Sequence, residues 1–156
     1  MLQIVVPTYK ILQLEHLVLD YNGTLACDGA LCVGVTARLN DLGKQLQIHV
    51  VTADTFGKAR AALEGIQCEI LVLESAQQAD SKLAYVEKLG FDKCVCIGNG
   101  RNDRLMLKAA TLGIAVIGRE GVAIETLMAA DIAVPDIVAA LDLLRNPLRL
   151  VATLRD

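Results

Sequence analysis

Five polar residues in this 156-residue chain stand just past its apolar runs, where a carboxylate or an ammonium is costly to bury without a partner. Asp20 closes the apolar run at 17–19 and is followed by Tyr21, Asn22, Gly23 and Thr24, which turn the chain over. Thr52 ends a second run, Lys82 lies near the start of the helix expected after a third, and Asn99 and Asp103 follow a fourth. A nucleophilic carboxylate, a hydroxyl, an ammonium and a second carboxylate form a set suited to phosphoryl transfer, where the protein mainly positions groups and neutralises charge. Each residue alone also has a plainer reading. Asp, Asn and Gly favour turns, and the pattern D-x-x-G-T would arise by chance in roughly 3 % of chains this long. Thr52 could cap the next helix, and Lys82 could be a solvated helix lysine, with Lys58 and Lys88 as nearby alternatives. Asp103 could simply complement a helix dipole.

The elements around these residues decide whether they can meet. Strands are expected over 15–21, 47–52, 68–73, 93–97, 113–117 and 132–134, with a further short strand at 2–6. Helices are expected near 35–42, 55–64 (Gly65 as its C-cap), from Ser75 to Gly90, and over 101–110, 121–128 and 136–144. Pro135 is expected at N1 of the last of these, and the tail should add a final helical turn or two. A Cys-Asp-Gly turn at 27–29 suggests a short hairpin or flap over 25–33. Strict alternation of strand and helix with short connections predicts an α/β fold. It should be three-layered and Rossmann-like, with a mostly parallel sheet and helices on both faces. One domain over 1–156 is expected, with a core of about 15–146. Parallel strands would bring the ends at 20, 52 and 98 to one edge, where open α/β sheets bind ligands.

Composition narrows the function. Hydrophobic residues make up 54 % and aromatics only 3 %, with no Trp, so Val, Leu, Ile and Ala must build the core. A net charge of −3 without any basic stripe argues against nucleic-acid binding. No apolar run is long enough to span a membrane. The start, MLQIVVPTYK, lacks the basic leader and long apolar region of a signal peptide. Five cysteines, an odd count, fit a reducing cytoplasm. Cys94 and Cys96 should be buried thiols on one face of a strand, and His16 and His49 ordinary packing residues.

Taken in order, DYNGTLACDG, VVTADT, the Lys in DSKLAYVEKLG, and IGNGRNDRLML resemble the four motifs of the haloacid-dehalogenase (HAD) superfamily. GREGVAIETLMAADIAV is similar to the end of the phosphorylation domain of P-type ATPases, and the whole is closest in kind to small, capless, soluble P-type ATPase-like proteins. The resemblance implies a Mg²⁺-dependent phosphohydrolase in which Asp20 attacks phosphorus and becomes an aspartyl-phosphate. It places Mg²⁺ on the Asp20 carboxylate, the Asn22 carbonyl and Asp103. It gives phosphoryl oxygens to Thr52, Lys82 and backbone N–H groups near Gly23 and Ala53. The substrate would be a small phosphorylated molecule or a phosphoprotein, and an uncapped, open cleft makes a homo-oligomer an expectation.

Two positions depart from the pattern. Asn22 stands where HAD phosphatases carry the Asp that protonates the leaving group and activates water. Asn99 stands where motif IV has a carboxylate, so that Mg²⁺ would bind less tightly; its amide oxygen is the remaining candidate ligand there. These departures keep a second reading open, a non-catalytic HAD-fold protein that binds a phosphate ligand or a protein partner. A receiver-type signalling domain fits poorly, because Glu74 and Ser75, not Asp, follow the third strand.

Overall fold

The computed structural model describes residues 1–53, 57–74 and 76–156. The elements run in the order β1 (Leu2–Val6), β2 (Lys10–Leu14), β3 (His16–Asp20), β4 (Ala26–Cys27), β5 (Ala30–Leu31), α1 (Val35–Leu42), β6 (Gln47–Thr52), α2 (Lys58–Ala62) and β7 (Glu69–Val72). They continue with α3 (Gln78–Leu89), β8 (Cys94–Gly98), α4 (Arg104–Ala109), β9 (Leu112–Val116), α5 (Ile124–Ala129), β10 (Ile132–Val134), α6 (Ile137–Arg145) and α7 (Pro147–Leu154). Six strands form one parallel sheet in the order β10-β9-β8-β3-β6-β7. The fold is the expected α/β sandwich. β3 lies between β6 and β8, with Asp20 beside Val51 and Leu19 beside Ile97. Asp20, Thr52 and Gly98 therefore end neighbouring strands at the same edge.

Period-two alternation along the buried strands supplies both faces. Leu17, Leu19, Val50, Val95, Ile97 and Ile114 point to a core closed by α1, α6 and α7. Val18, Val51, Cys94, Cys96 and Ala115 point to the other, closed by Val86 of α3 and Met106 and Leu107 of α4. Cys94 and Cys96 thus share one face, as expected. Burial pushes the Cys94 thiol up to about 12 and Cys96 well above its ordinary value, which keeps both protonated and inert.

Several local expectations change. The stretch at 10–14 gave no strand signal, yet it pairs antiparallel with β1, Ile4 opposite Leu12. Its apolar residues alternate, and Leu12 and Leu14 are fully buried against the main core. Pro135 is not the first residue of α6. Asp136 caps that helix, its carboxylate accepting from Ala139 N–H at 2.8 Å, so Pro135 stands ahead of the cap. A side-chain acceptor satisfies an otherwise unpaired N–H, which proline cannot do. Pro147 opens α7 instead. α2 is capped at Leu63, before Gly65. The expected helix starts at Thr55 and Ser75 lie outside the described residues. The stretch expected as helix over 101–110 begins as a 3₁₀ turn, Arg101–Asp103.

The flap is a tight hairpin of β4 and β5 around Asp28 (φ 52°) and Gly29 (φ 79°), the left-handed pair that a two-residue turn requires. Among the described residues, nothing larger than this hairpin and α1 is inserted between β3 and β6, or than α2 and β7 between β6 and α3. No described helix is long and apolar enough to cross a membrane.

Candidate active site

Lys82 is the centre of the site. α3 carries its side chain under the sheet edge, where its Nζ donates to Asp20 Oδ1 at 2.7 Å and to Asp103 Oδ1 at 2.6 Å. Lys82 is 1 % exposed, Asp103 0 % and Asp20 7 %. The alternatives Lys58 and Lys88 are both on the surface. Residues 20, 82 and 103, distant in sequence, are thereby in direct contact.

Two carboxylates share one ammonium, so one negative charge is left uncompensated. Burial, followed by the Asp103 charge, pushes the Asp20 carboxyl up to about 7, although Lys82 pulls it down. Burial alone would lower Lys82, but the two carboxylates outweigh it and hold the ammonium above its ordinary value. Asn102 steadies this arrangement. Its Oδ1 lies 3.5 Å from Lys82 Nζ, and its amide donates to Gln78 Oε1 at 2.6 Å, tying the start of α3 to the turn before α4.

Asp103 also shapes the loop that precedes it. Its Oδ2 accepts from the backbone N–H groups of Asn99 (3.0 Å) and Gly100 (2.9 Å). Gly98 makes room for it, because a Cβ there would lie 2.5 Å from Asp103 Cγ. Gly98→Ala is expected to displace Asp103 from Lys82 and to cost about 1–3 kcal/mol of stability by overpacking. A urea melt reads that loss directly.

Asn99 is a cross-link. Its Oδ1 accepts from Thr24 Oγ1 at 3.1 Å, its Nδ2 donates to Gly121 O at 3.0 Å, and its own carbonyl accepts from Ala123 N–H at 2.9 Å. The amide lies against Gly23, where an added Cβ would meet Nδ2 at 2.5 Å; φ there is +79°. Thr24 Oγ1 is also 3.3 Å from Asp20 Oδ2. Thr126 completes the clasp by donating to Gly100 O at 2.6 Å. The sequence assigned no task to Thr24, Asn102 or Thr126. The Thr of D-x-x-G-T was the one visible hint.

The remaining candidates fall around this centre. Thr52 is buried at the end of β6, one residue past Val51, the partner of Asp20. Ala53 follows it, half-buried. Asn22 is exposed on the turn after Asp20. The expected use of the Gly23 N–H as a phosphate donor is corrected: that group already donates to Ala26 O at 2.8 Å and holds the root of the hairpin.

The donors gathered here are hard and chiefly oxygen, and the buried triad gains a net negative charge as Asp20 ionises. Both features fit Mg²⁺. Elsewhere among the described residues, only Cys27, Asp28 and Glu120 bring three acidic or thiol ligand atoms within 4.8 Å of one another, and none of the three is buried.

At the opposite end of the strands His16 and His49 do more than pack. His16 Nδ1 lies 3.1 Å from His49 Nε2, and His49 Nδ1 lies 2.8 Å from Tyr85 Oη and 3.5 Å from Glu69. Burial lowers both imidazoles below their ordinary value. A histidine whose folded pKa is depressed disfavours the fold once it must charge. The pair should therefore contribute stability fully above about pH 6.5 and lose it as pH falls. Thermal melts of His49→Gln should show a weaker acid dependence than the parent protein between pH 5 and 7.

By sheet order and edge placement the chain has a HAD-like fold, with no cap domain inserted among the described residues. It also belongs to one family with the uncharacterized protein MJ0073 of Methanocaldococcus jannaschii, to which it is 51 % identical over 80 residues, 49 % of this chain and 86 % of that protein. The probable cadmium-transporting ATPase of Listeria monocytogenes is 37 % identical over 95 residues, 59 % of this chain but 13 % of the ATPase.

No family model matches the chain. The 3-deoxy-D-manno-octulosonate 8-phosphate phosphatase of Moraxella catarrhalis, solved with magnesium, phosphate and KDO, superposes with a TM-score of 0.71 at 16 % identity, covering 92 % of this chain and 94 % of that one. The catalytic domain of the CPx-ATPase CopB-B superposes with a TM-score of 0.56 at 23 % identity, covering 78 % of this chain and 45 % of that one.

Proposed function

We propose that this chain is a single-domain, Mg²⁺-dependent phosphohydrolase that works through an aspartyl-phosphate on Asp20. The observation that carries the reading is the Lys82 bridge between two buried carboxylates at the sheet edge. Asp20 would attack phosphorus. Lys82 would offset charge on the nucleophile and on the phosphoryl oxygens. The Thr52 hydroxyl and the Ala53 amide would hold those oxygens. Asp20, the Asn22 carbonyl and Asp103 would hold Mg²⁺, with the Asn99 oxygen, now turned to Thr24, as the fourth candidate. When bound, the ion supplies charge neutralisation at the phosphoryl group. The substrate is a small phosphorylated molecule or a phosphoprotein, acted on in the cytoplasm.

Asn22 can donate a hydrogen bond but cannot deliver a proton, and a positioned general acid–base group is worth about 10²–10⁴-fold in rate. The enzyme should therefore favour good leaving groups, such as acetyl phosphate, and hydrolyse its phosphoenzyme slowly. Asn22 is exposed on its turn, with room for an ionised side chain. Asn22→Asp should raise steady-state turnover of an alkyl phosphate by about 10²-fold. No gain in a folded variant would show that the acid is not the missing part.

Asn22 together with the cross-linking Asn99 favours a second reading, a non-catalytic protein that keeps the site for binding a phosphate ligand or a protein partner. A phosphatase screen with and without Mg²⁺, using Asp20→Asn as control, separates the two. Mg²⁺-dependent release of phosphate that the control lacks supports the enzyme. Phosphate binding without release supports the alternative.

A further inference from the structure

Apolar contact alone holds α3 loosely to the sheet. Of its residues only Lys82 and Val86 are buried. Hydrophobic burial is non-directional, so a single buried valine leaves the helix free to slide or roll. Directional polar contacts supply the missing constraint. Lys82 Nζ meets Asp20 Oδ1 at 2.7 Å, and one turn later Tyr85 Oη lies 2.8 Å from His49 Nδ1.

The second contact belongs to a chain of four titratable side chains, His16 on β3, His49 on β6, Glu69 on β7 and Tyr85 on α3. The Tyr85 hydroxyl also hydrogen-bonds to Glu69, and an ionised carboxylate only accepts. Tyr85 has one proton to give, so its oxygen accepts from His49 Nδ1–H. His49 Nε2 is then without a proton and accepts from His16 Nδ1–H at 3.1 Å. Every donor in the chain thus faces an acceptor.

Three of these elements also carry groups of the candidate active site. His16 stands four residues before Asp20 on β3 and on the same face, and His49 three residues before Thr52 on β6. Tyr85 stands three residues after Lys82 on α3. At about 3.3 Å per strand residue, His16 lies about 13 Å from Asp20. Helix residues three apart share a face, so a shift of α3 that breaks the Tyr85 contact carries Lys82 with it. We infer that Tyr85, held by His49, is a positioning residue that fixes α3 over the sheet and so keeps the Lys82 ammonium between Asp20 and Asp103. This deepens the phosphohydrolase reading and rests on it for the task of Lys82, though not for its position.

Tyr85→Phe removes only the hydroxyl, and His49→Leu removes its partner from a different element, so a folding failure in one leaves the other. In the intact chain with ¹⁵N-labelled lysine, the Lys82 ammonium should give an NMR signal protected from solvent exchange, identified by its loss in Lys82→Arg. Each variant should speed that exchange by about 10-fold or more. Each should also lower kcat for acetyl phosphate by about 10-fold or more and leave KM within about 2-fold, as misplacing a group that acts on the reacting atoms would. The double variant should do no more than the stronger single one, because both break the same chain. An unprotected parent signal, exchange unchanged in a folded variant, or additive effects in the double variant would overturn the inference, whatever the activity. Faster exchange with kcat unchanged in an active parent overturns it too. If the parent hydrolyses no acetyl phosphate yet Tyr85→Phe releases Lys82, the positioning stands and the phosphohydrolase reading fails instead.

Discussion

Lys82→Met is expected to destabilise the metal-free protein by about 3–5 kcal/mol, the usual cost of stranding buried charge without its partner. The substitution keeps the length of the side chain and removes only the ammonium that both Asp20 and Asp103 accept from. Asp103 retains two backbone N–H donors, from Asn99 and Gly100. Among the described residues, Asp20 keeps the Thr24 hydroxyl, at 3.3 Å. The damage should therefore fall mainly on Asp20 and grow as pH rises and that carboxyl ionises. Protonating Asp20 relieves the clash, so the variant should lie closest to the parent at acid pH. Urea melts at pH 5 and pH 8 read both the loss and its pH dependence. A loss below about 1 kcal/mol at pH 8, the range of an exposed pair, would mean that Lys82 is solvated in solution. The proposed phosphatase activity should disappear with the ammonium.

The opposite result is expected for Asp20→Asn. Removing the proposed nucleophile should abolish the proposed activity yet stabilise the metal-free fold. Asp20 is held near 7 by burial and by Asp103, against an ordinary value of 3.8. The folded state then binds the proton more tightly than the unfolded state, so stability is greatest below about pH 4 and falls as pH rises to 7. At pH 8 the amide variant, in which Lys82 and Asp103 balance, should be more stable by about 2–4 kcal/mol. His16 and His49 act in the other direction, adding stability as pH rises toward 6.5. Asp20→Asn should therefore uncover a melting temperature that climbs through pH 5–6.5 and then levels. A variant less stable than its parent at pH 8 would show that the excess charge is not where the geometry puts it. Mg²⁺ should narrow the gap, because it supplies to the parent the positive charge that the amide variant does not need.

Much of this molecule was legible before any coordinates. The apolar runs that end at Asp20, Thr52 and Gly98, separated by helical spacing, dictate parallel strands, and parallel strands put their ends on one edge. Local chemistry misled where two residues competed for one task. Pro135 can begin a helix, but Asp136 beside it caps one, and the cap prevailed. The second strand of the β1–β2 hairpin was missed because its five residues alternate too briefly to stand out from a polar N-terminal stretch.

Tertiary structure decided two matters. It set the Lys82 ammonium between the two carboxylates and left Lys58 and Lys88 on the surface. It turned Asn99 into a tie between the Asp20 turn and the segment at 121–123, since a side chain's partners depend on segments that sequence keeps apart. Residue order can say which groups arrive at the edge of a sheet. Distances of a few ångströms among buried charges determine which of them pair, and those are set by how the helices settle onto the strands.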